Sequence, residues 1–130
     1  MTERPSKRGG LLLRVDKALH FLPAGSAIRI AQTPELARVP GAPAELLGIA
    51  AHEGDIVPVV AIGEDRSNMV VCSYSGELLG IVGATVVGSG LFEVADGDDV
   101  WFLGEPAKTL DLASIYARLK GGAWAERWGG

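Results

Sequence analysis

Apolar residues in this chain come in short runs separated by glycine, proline or small polar clusters. Leu11 to Val15 and Ala18 to Leu22 flank Asp16-Lys17, which reads as a hairpin. Pro23-Ala24-Gly25-Ser26 ends the second run. Ala27 to Ala31 alternates, with Ile28 and Ile30 expected on one face of a half-buried strand and Arg29 on the other. Leu46 to Ala51 and Ile56 to Ile62 flank His52-Glu53-Gly54-Asp55, where Gly54 can take φ > 0 without steric cost. Pro58 has no N–H to give a ladder, so it is expected at an edge or a bulge. Ala44 to Leu47 can form one short helical turn, and Gly63 to Asn68 reads as a solvated loop. Met69 to Tyr74 and Leu78 to Val82 flank Ser75-Gly76 as a third hairpin. Thr85 to Val87, Leu91 to Val94 and Val100 to Leu103 read as further short strands, with Gly88-Ser89-Gly90, Ala95 to Asp99 and Glu105-Pro106 as breaks.

Only the last segment changes period. Leu112, Ile115, Tyr116 and Leu119 recur at i, i+3, i+4 and i+7, after a candidate N-cap at Asp111 and before the stop Gly121-Gly122. The expected fold is therefore all-β, about nine or ten short strands plus a short C-terminal helix. The turns are too short for the crossovers that βαβ units need. A barrel, or a pair of small barrels, follows.

At 130 residues, 48% of them hydrophobic, the chain is one domain's worth with material for a real core. The organisation expected is a disordered tail over 1–10, a domain over 11–120 and a Trp-containing tail over 121–130. Met1 to Gly10 is polar and basic and lacks the apolar core of a secretory signal. No run is long enough to span a bilayer, so a cytoplasmic location without membrane insertion is expected. A formal net charge of −4 gives no electrostatic footprint for nucleic acid. The single cysteine, Cys72, lies in the apolar string Val70-Val71-Cys72 and reads as a buried structural thiol.

Residues with catalytic or metal-binding chemistry are sparse. His20 and His52 lie far apart and lack the spacing of a metal site. Asp96-Gly97-Asp98-Asp99 lacks the alternating ligands and closing Glu of a calcium loop. Gly88-Ser89-Gly90 lacks the glycine spacing of a nucleophile elbow, and no phosphate-binding loop ends in Lys-Ser/Thr. The reading is of a non-enzyme with no catalytic residue, metal or cofactor, which works through surface offered to another protein.

Arg38-Val39-Pro40-Gly41-Ala42-Pro43, then Gly48-Ile49, Gly54 and Ile56-Val57-Pro58-Val59, form an ordered set with spaced prolines. This set resembles the middle of the CheW-like domain family, whose pattern runs R-V-P-x-A-P, G-V-x-N-L-R-G, x-I-x-P-V-x-D-L. Val70 to Val82 and Leu110-Asp111-Leu112 extend the similarity over about Leu11 to Leu119. The resemblance implies two SH3-like five-stranded barrels sharing an apolar interface. It also implies an adaptor that couples chemoreceptors to a histidine kinase in bacterial chemosensory arrays. One face would bind the kinase regulatory domain, and a groove between the barrels would take the cytoplasmic tip of a receptor. Carried onto this sequence, the groove strand is Ala27, Ile28, Arg29 and Ile30, and the turn is His52, Glu53 and Gly54. Val39 and Val57 are candidate lining residues that could equally fill the core.

This chain departs from the pattern in an informative way. Glu53 stands where the family carries Arg, and Arg29 stands where it often carries Glu. The double change implies a retained Arg29–Glu53 pair of inverted polarity across neighbouring strands, altering partner choice. The D-L-R after the second strand is replaced by Ala61-Ile62-Gly63, which puts kinase binding by the usual surface in question. Trp124 and Trp128 are four apart in the tail and would share a helical face, offered to a partner or packed back on the barrel. Two other readings remain: a divergent accessory adaptor that has lost kinase binding, and a small-molecule-binding or catalytic β-barrel.

Overall fold

Two five-stranded sheets, each curled into a barrel, are built from strands that leave and re-enter in an order the chain does not follow. The computed structural model describes residues 7–42 and 45–120, with the backbone alone at Ile28 and Lys120. The strands are β1 (Lys7–Val15), β2 (Ala18–Pro23), β3 (Ala27–Gln32), β4 (Leu46–His52), β5 (Asp55–Ala61), β6 (Asp65–Tyr74), β7 (Glu77–Gly83), β8 (Thr85–Glu93), β9 (Val100–Phe102) and β10 (Glu105–Thr109). The helix α1 spans Leu112–Lys120. The first sheet runs β8-β1-β2-β10-β9 and the second β3-β6-β7-β5-β4. A bridge between Val94 and Val100 ties the end of β8 to β9 and closes the first barrel. The chain continuing from β3 bridges to β4 through Ala37 and Ile49 and closes the second.

The all-β expectation, with paired barrels and one short helix, describes the molecule. Its central strands are apolar on consecutive residues because each serves two cores. Leu12 and Phe21 fill the first barrel, while their neighbours Leu13 and Leu22 face the layer between the barrels. Val59, Met69, Val71 and Val82 fill the second barrel, while Val60, Val70, Cys72 and Ile81 face that same layer. Alternation by two is intact, and both faces are dry.

The helix caps this shared layer. Leu112, Ile115, Tyr116 and Leu119 are all buried against it. Asp111 is the N-cap: the Ser114 backbone N–H donates to its Oδ1 at 3.0 Å. The Tyr116 hydroxyl donates to the Glu77 carbonyl at 2.7 Å, and its ring stacks on Tyr74 with centroids 5.2 Å apart. Burial pushes the Tyr116 hydroxyl above its usual range, with Cys72 and Glu77 adding to the shift. Cys72 is fully buried, and desolvation raises its thiol to about 12, so it is a structural residue.

Several boundaries differ from the sequence reading. β1 begins at Lys7, inside the expected tail, because Lys7 to Gly10 pair with Glu93 to Gly90 of β8. Residues 1–6 and the Trp124/Trp128 tail lie outside the described residues, as does Pro43 of the proline-spaced turn. Leu46 and Leu47 are extended rather than helical, since Leu46 pairs with Val60. β8 runs without a break through Gly88-Ser89-Gly90, held by its ladder with β1, whose register shifts at Leu12/Leu13. The last hairpin turns at Leu103-Gly104, not at Glu105-Pro106. Pro58 lies on an interior strand, not an edge. It sits before the parallel pairing of β5 with β7, which starts at Val59, so no ladder bond is forfeited there.

One close approach has a strict residue requirement. A Cβ on Gly83, at φ 106°, would lie 2.2 Å from the Gly63 nitrogen. Only glycine allows β7 and the loop after β5 to come that near.

Candidate partner-binding groove

A cavity of about 500 Å³ opens between the two barrels. One wall is β1 at Gly9, Gly10 and Leu11, continued by Gly90 and Leu91 of β8. The other is β3 at Ala27, Arg29 and Ile30, with Ala24 at the base of the connection. Arg29 is the one charged residue among these lining groups. Leu91 is 71% exposed and Ile30 43%, so apolar surface here faces solvent.

The sequence places β3 in this groove through resemblance, and β3 is one of its walls. The other wall had no such signal. Gly9 and Gly10 reach the site through the β1–β2 hairpin and the bond from the Ala24 N–H to the Gly9 carbonyl, and Leu91 reaches it through the β1–β8 ladder. A run of glycines between apolar strings looks like a break until its partner strand is known. Side-chain alternation on β3 also differs from the expectation. The pairing with β6 slips between Ala27 and Arg29, and the bulge leaves both Arg29 and Ile30 exposed.

The turn residues join the groove through charge. Arg29 Nη1 donates to Glu53 Oε1, in an ion pair whose side chains are both more than half exposed. Arg29 lies on β3, at one end of the sheet order, and Glu53 in the turn that follows β4, at the other; closure of the barrel brings them together, and they are not neighbours in the ladder. The inverted pair inferred from sequence is thus formed, by a different route from the one expected. Glu53 at φ 48° and Gly54 at φ 87° make the two-residue turn between β4 and β5. His52 packs beneath, its Nε2 buried without a hydrogen-bond partner and 3.8 Å from Glu53 Oε2.

Two candidates lie elsewhere. Val57 is fully buried between β4 and β7, so it is a core residue and not a contact surface. Val39 is half-buried and packs against the layer between the barrels. The Ile28 side chain lies outside the described set. Among the described residues no group of His, Cys, Asp or Glu is arranged to hold a metal ion, and no helix is long and apolar enough to cross a membrane.

The arrangement is an open trough with apolar walls and one compensated charge at its rim. It can accept a rigid apolar ridge, such as one face of a helix, and it lacks the convergent polar groups that orient a small substrate.

Comparison with known proteins agrees with this architecture. The sequence profile of the CheW-like domain matches residues 9–98. The fold is similar to that of the scaffolding protein TtCheW from Thermoanaerobacter tengcongensis, with a TM-score of 0.69 at 11% identity, over 80% of this chain and 88% of that one. No curated protein is significantly similar in sequence.

Proposed function

The chain belongs to the CheW-like domain family, and on that premise we propose that it is a non-enzymatic adaptor in a bacterial chemosensory complex. It holds the cytoplasmic tip of a chemoreceptor in the groove between its barrels and brings it to a histidine kinase. The observation that carries the reading is the solvent-facing apolar trough of Leu11, Ala27, Ile30 and Leu91, with Arg29 as its one charged lining residue. An apolar trough binds through excluded water, and a single rim charge sets register and rejects mismatched partners.

The inverted Arg29–Glu53 pair favours a divergent variant of this role. A partner matched to the usual polarity meets Arg29 where it is suited to Glu, so this adaptor serves its own receptor class and binds a conventional tip weakly. The double exchange Arg29→Glu with Glu53→Arg should shift preference toward the conventional tip. Purified receptor cytoplasmic fragment and kinase regulatory domain, each tested separately by co-purification, check the proposal. Retention of the receptor fragment that is lost on Ile30→Asp supports it; retention of neither would defeat it.

A further inference from the structure

The seam where α1 meets the second barrel holds a cavity of about 280 Å³, between the last turns of α1 and the end of β5. Val60, Ile62, Ile115 and Leu119 supply its apolar wall, and Glu45 and Arg118 are its charged lining residues. Both charged residues are exposed, so their charges stand at the rim. Glu45 is held over β5 by the Ala61 N–H, which donates to its carbonyl at 3.3 Å. The cavity shares no lining residue with the groove between the barrels.

Residues 121–130 follow directly from this wall, since Leu119, in the last turn of α1, is part of it. They begin Gly121-Gly122-Ala123-Trp124. A glycine pair just past a helix permits left-handed backbone and reversal of the chain. Trp124 is four residues beyond Lys120, a reach of about 13 Å when extended. That is more than the rise of about 5.4 Å per helical turn, so Trp124 can return over the last turn of α1. A dry cavity of about 150 Å³ holds benzene, so this larger one has room for an indole ring.

We propose that Trp124 of the chain's own C-terminal segment fills this cavity and straps α1 to β5. The indole ring covers the apolar wall, its N–H donates to the Glu45 carboxylate, and the Arg118 guanidinium lies against its face. Apolar body, donor and cation-accepting face are thus all matched by groups already at the site. The short tether presents Trp124 at an effective concentration in the millimolar range, which a separate partner has to outcompete. The strap secures the helix that caps the layer between the barrels and leaves the groove open.

Contact quenching in the full chain tests this. Bimane, whose emission tryptophan quenches at close contact, is attached at Glu45→Cys, which leaves the apolar wall intact. Cys72 is fully buried and does not take the label. Emission is expected to rise on Trp124→Phe and to stay unchanged on Trp128→Phe. A label at Glu93→Cys, on the first barrel, is expected to respond to neither. In a second measurement Trp101→Phe and Trp128→Phe leave Trp124 as the sole tryptophan, with Glu45 and Arg118 in place. Its emission is expected at shorter wavelength in the folded chain than in denaturant. No rise on Trp124→Phe overturns the proposal, as does folded emission at the unfolded wavelength. A rise on Trp128→Phe instead overturns it and assigns the cavity to the other ring. Quenching of the labelled Trp124→Phe chain by added unlabelled wild type also overturns it, and identifies the occupant as the tail of a second copy.

Discussion

The first barrel closes on aromatic rings, with Phe92 set edge-on to both Phe21 and Phe102 at 6.3 and 6.0 Å. The second closes on Val59, Met69, Val71, Val82 and Ala50. Gly80 shows how tightly the second is wound, since a Cβ there would lie 2.7 Å from Met69 Sδ. One interior is thus specified by the geometry of a few large rings, the other by close approach of backbone around small branched side chains. The tips differ in the same sense of division. The second barrel's β4–β5 turn is polar and holds Arg29, while the first barrel's β9–β10 turn exposes Leu103. Two copies of one architecture can therefore present a selective groove rim on one side and an apolar knob on the other.

The comparison breaks most readily in the cores. Phe21→Ala should cost about 3–5 kcal/mol and Met69→Ala about 2–5 kcal/mol. Both variants should unfold in one transition by circular dichroism and by tryptophan fluorescence, because the layer between the barrels belongs to both. Separate transitions for the two probes would show that the barrels are independent.

Tyr116→Phe probes the shared layer instead. It removes the hydrogen bond to the Glu77 carbonyl and should cost about 1 kcal/mol in denaturant titration. A neutral result would mean that the apolar contacts of Leu112, Ile115, Tyr116 and Leu119, without this hydrogen bond, hold the helix.

Arg29→Gln is expected to change stability by no more than about 1 kcal/mol, since the pair with Glu53 is exposed. Its effect on receptor-fragment binding should be larger, and should fade at high salt. An equal effect at low and high salt would remove charge from the account.

The smallest effect concerns Asp111. Hydrogen bonds from the Ser114 side chain and backbone, and weakly the charge of Arg118, hold its carboxyl below the usual 3.8. A lowered folded value means that the stabilisation is fully present above the unfolded value and is lost as pH falls through the folded one. The Tm difference between wild type and Asp111→Ala should therefore be constant near neutrality and shrink below pH 3.8. A gap that widens in acid would contradict the capping role.

The parts of this fold that could be read from residues are those fixed locally. The helix face at Leu112, Ile115, Tyr116 and Leu119, the cap at Asp111 and the turn at Glu53-Gly54 depend on neighbours in sequence. The Arg29–Glu53 pair could be inferred because both charges are inverted together relative to the family pattern the chain resembles, and the pair is formed. What escaped depends on distant pairing. The glycine string at Gly88 to Gly90 is strand only because β1 lies beside it. The parallel ladders of β2 with β10 and of β5 with β7 leave no mark in turn residues. Val57 could not be told from a lining residue because β5 is apolar on consecutive positions from Ile56 to Val60, so no polar residue marks which side faces solvent.

Strands shared between two interiors carry a mechanical consequence. Where Leu12 points into one barrel and Leu13 into the layer beside it, no flexible joint separates the halves. The width of the cleft between them is then set by side-chain volume at positions such as Leu13 and Leu22, not by a closing motion. On the function proposed above, a partner of this cleft is chosen by shape, as a key is by a rigid lock, and enlarging or shrinking one buried leucine is expected to retune that choice without touching the surface.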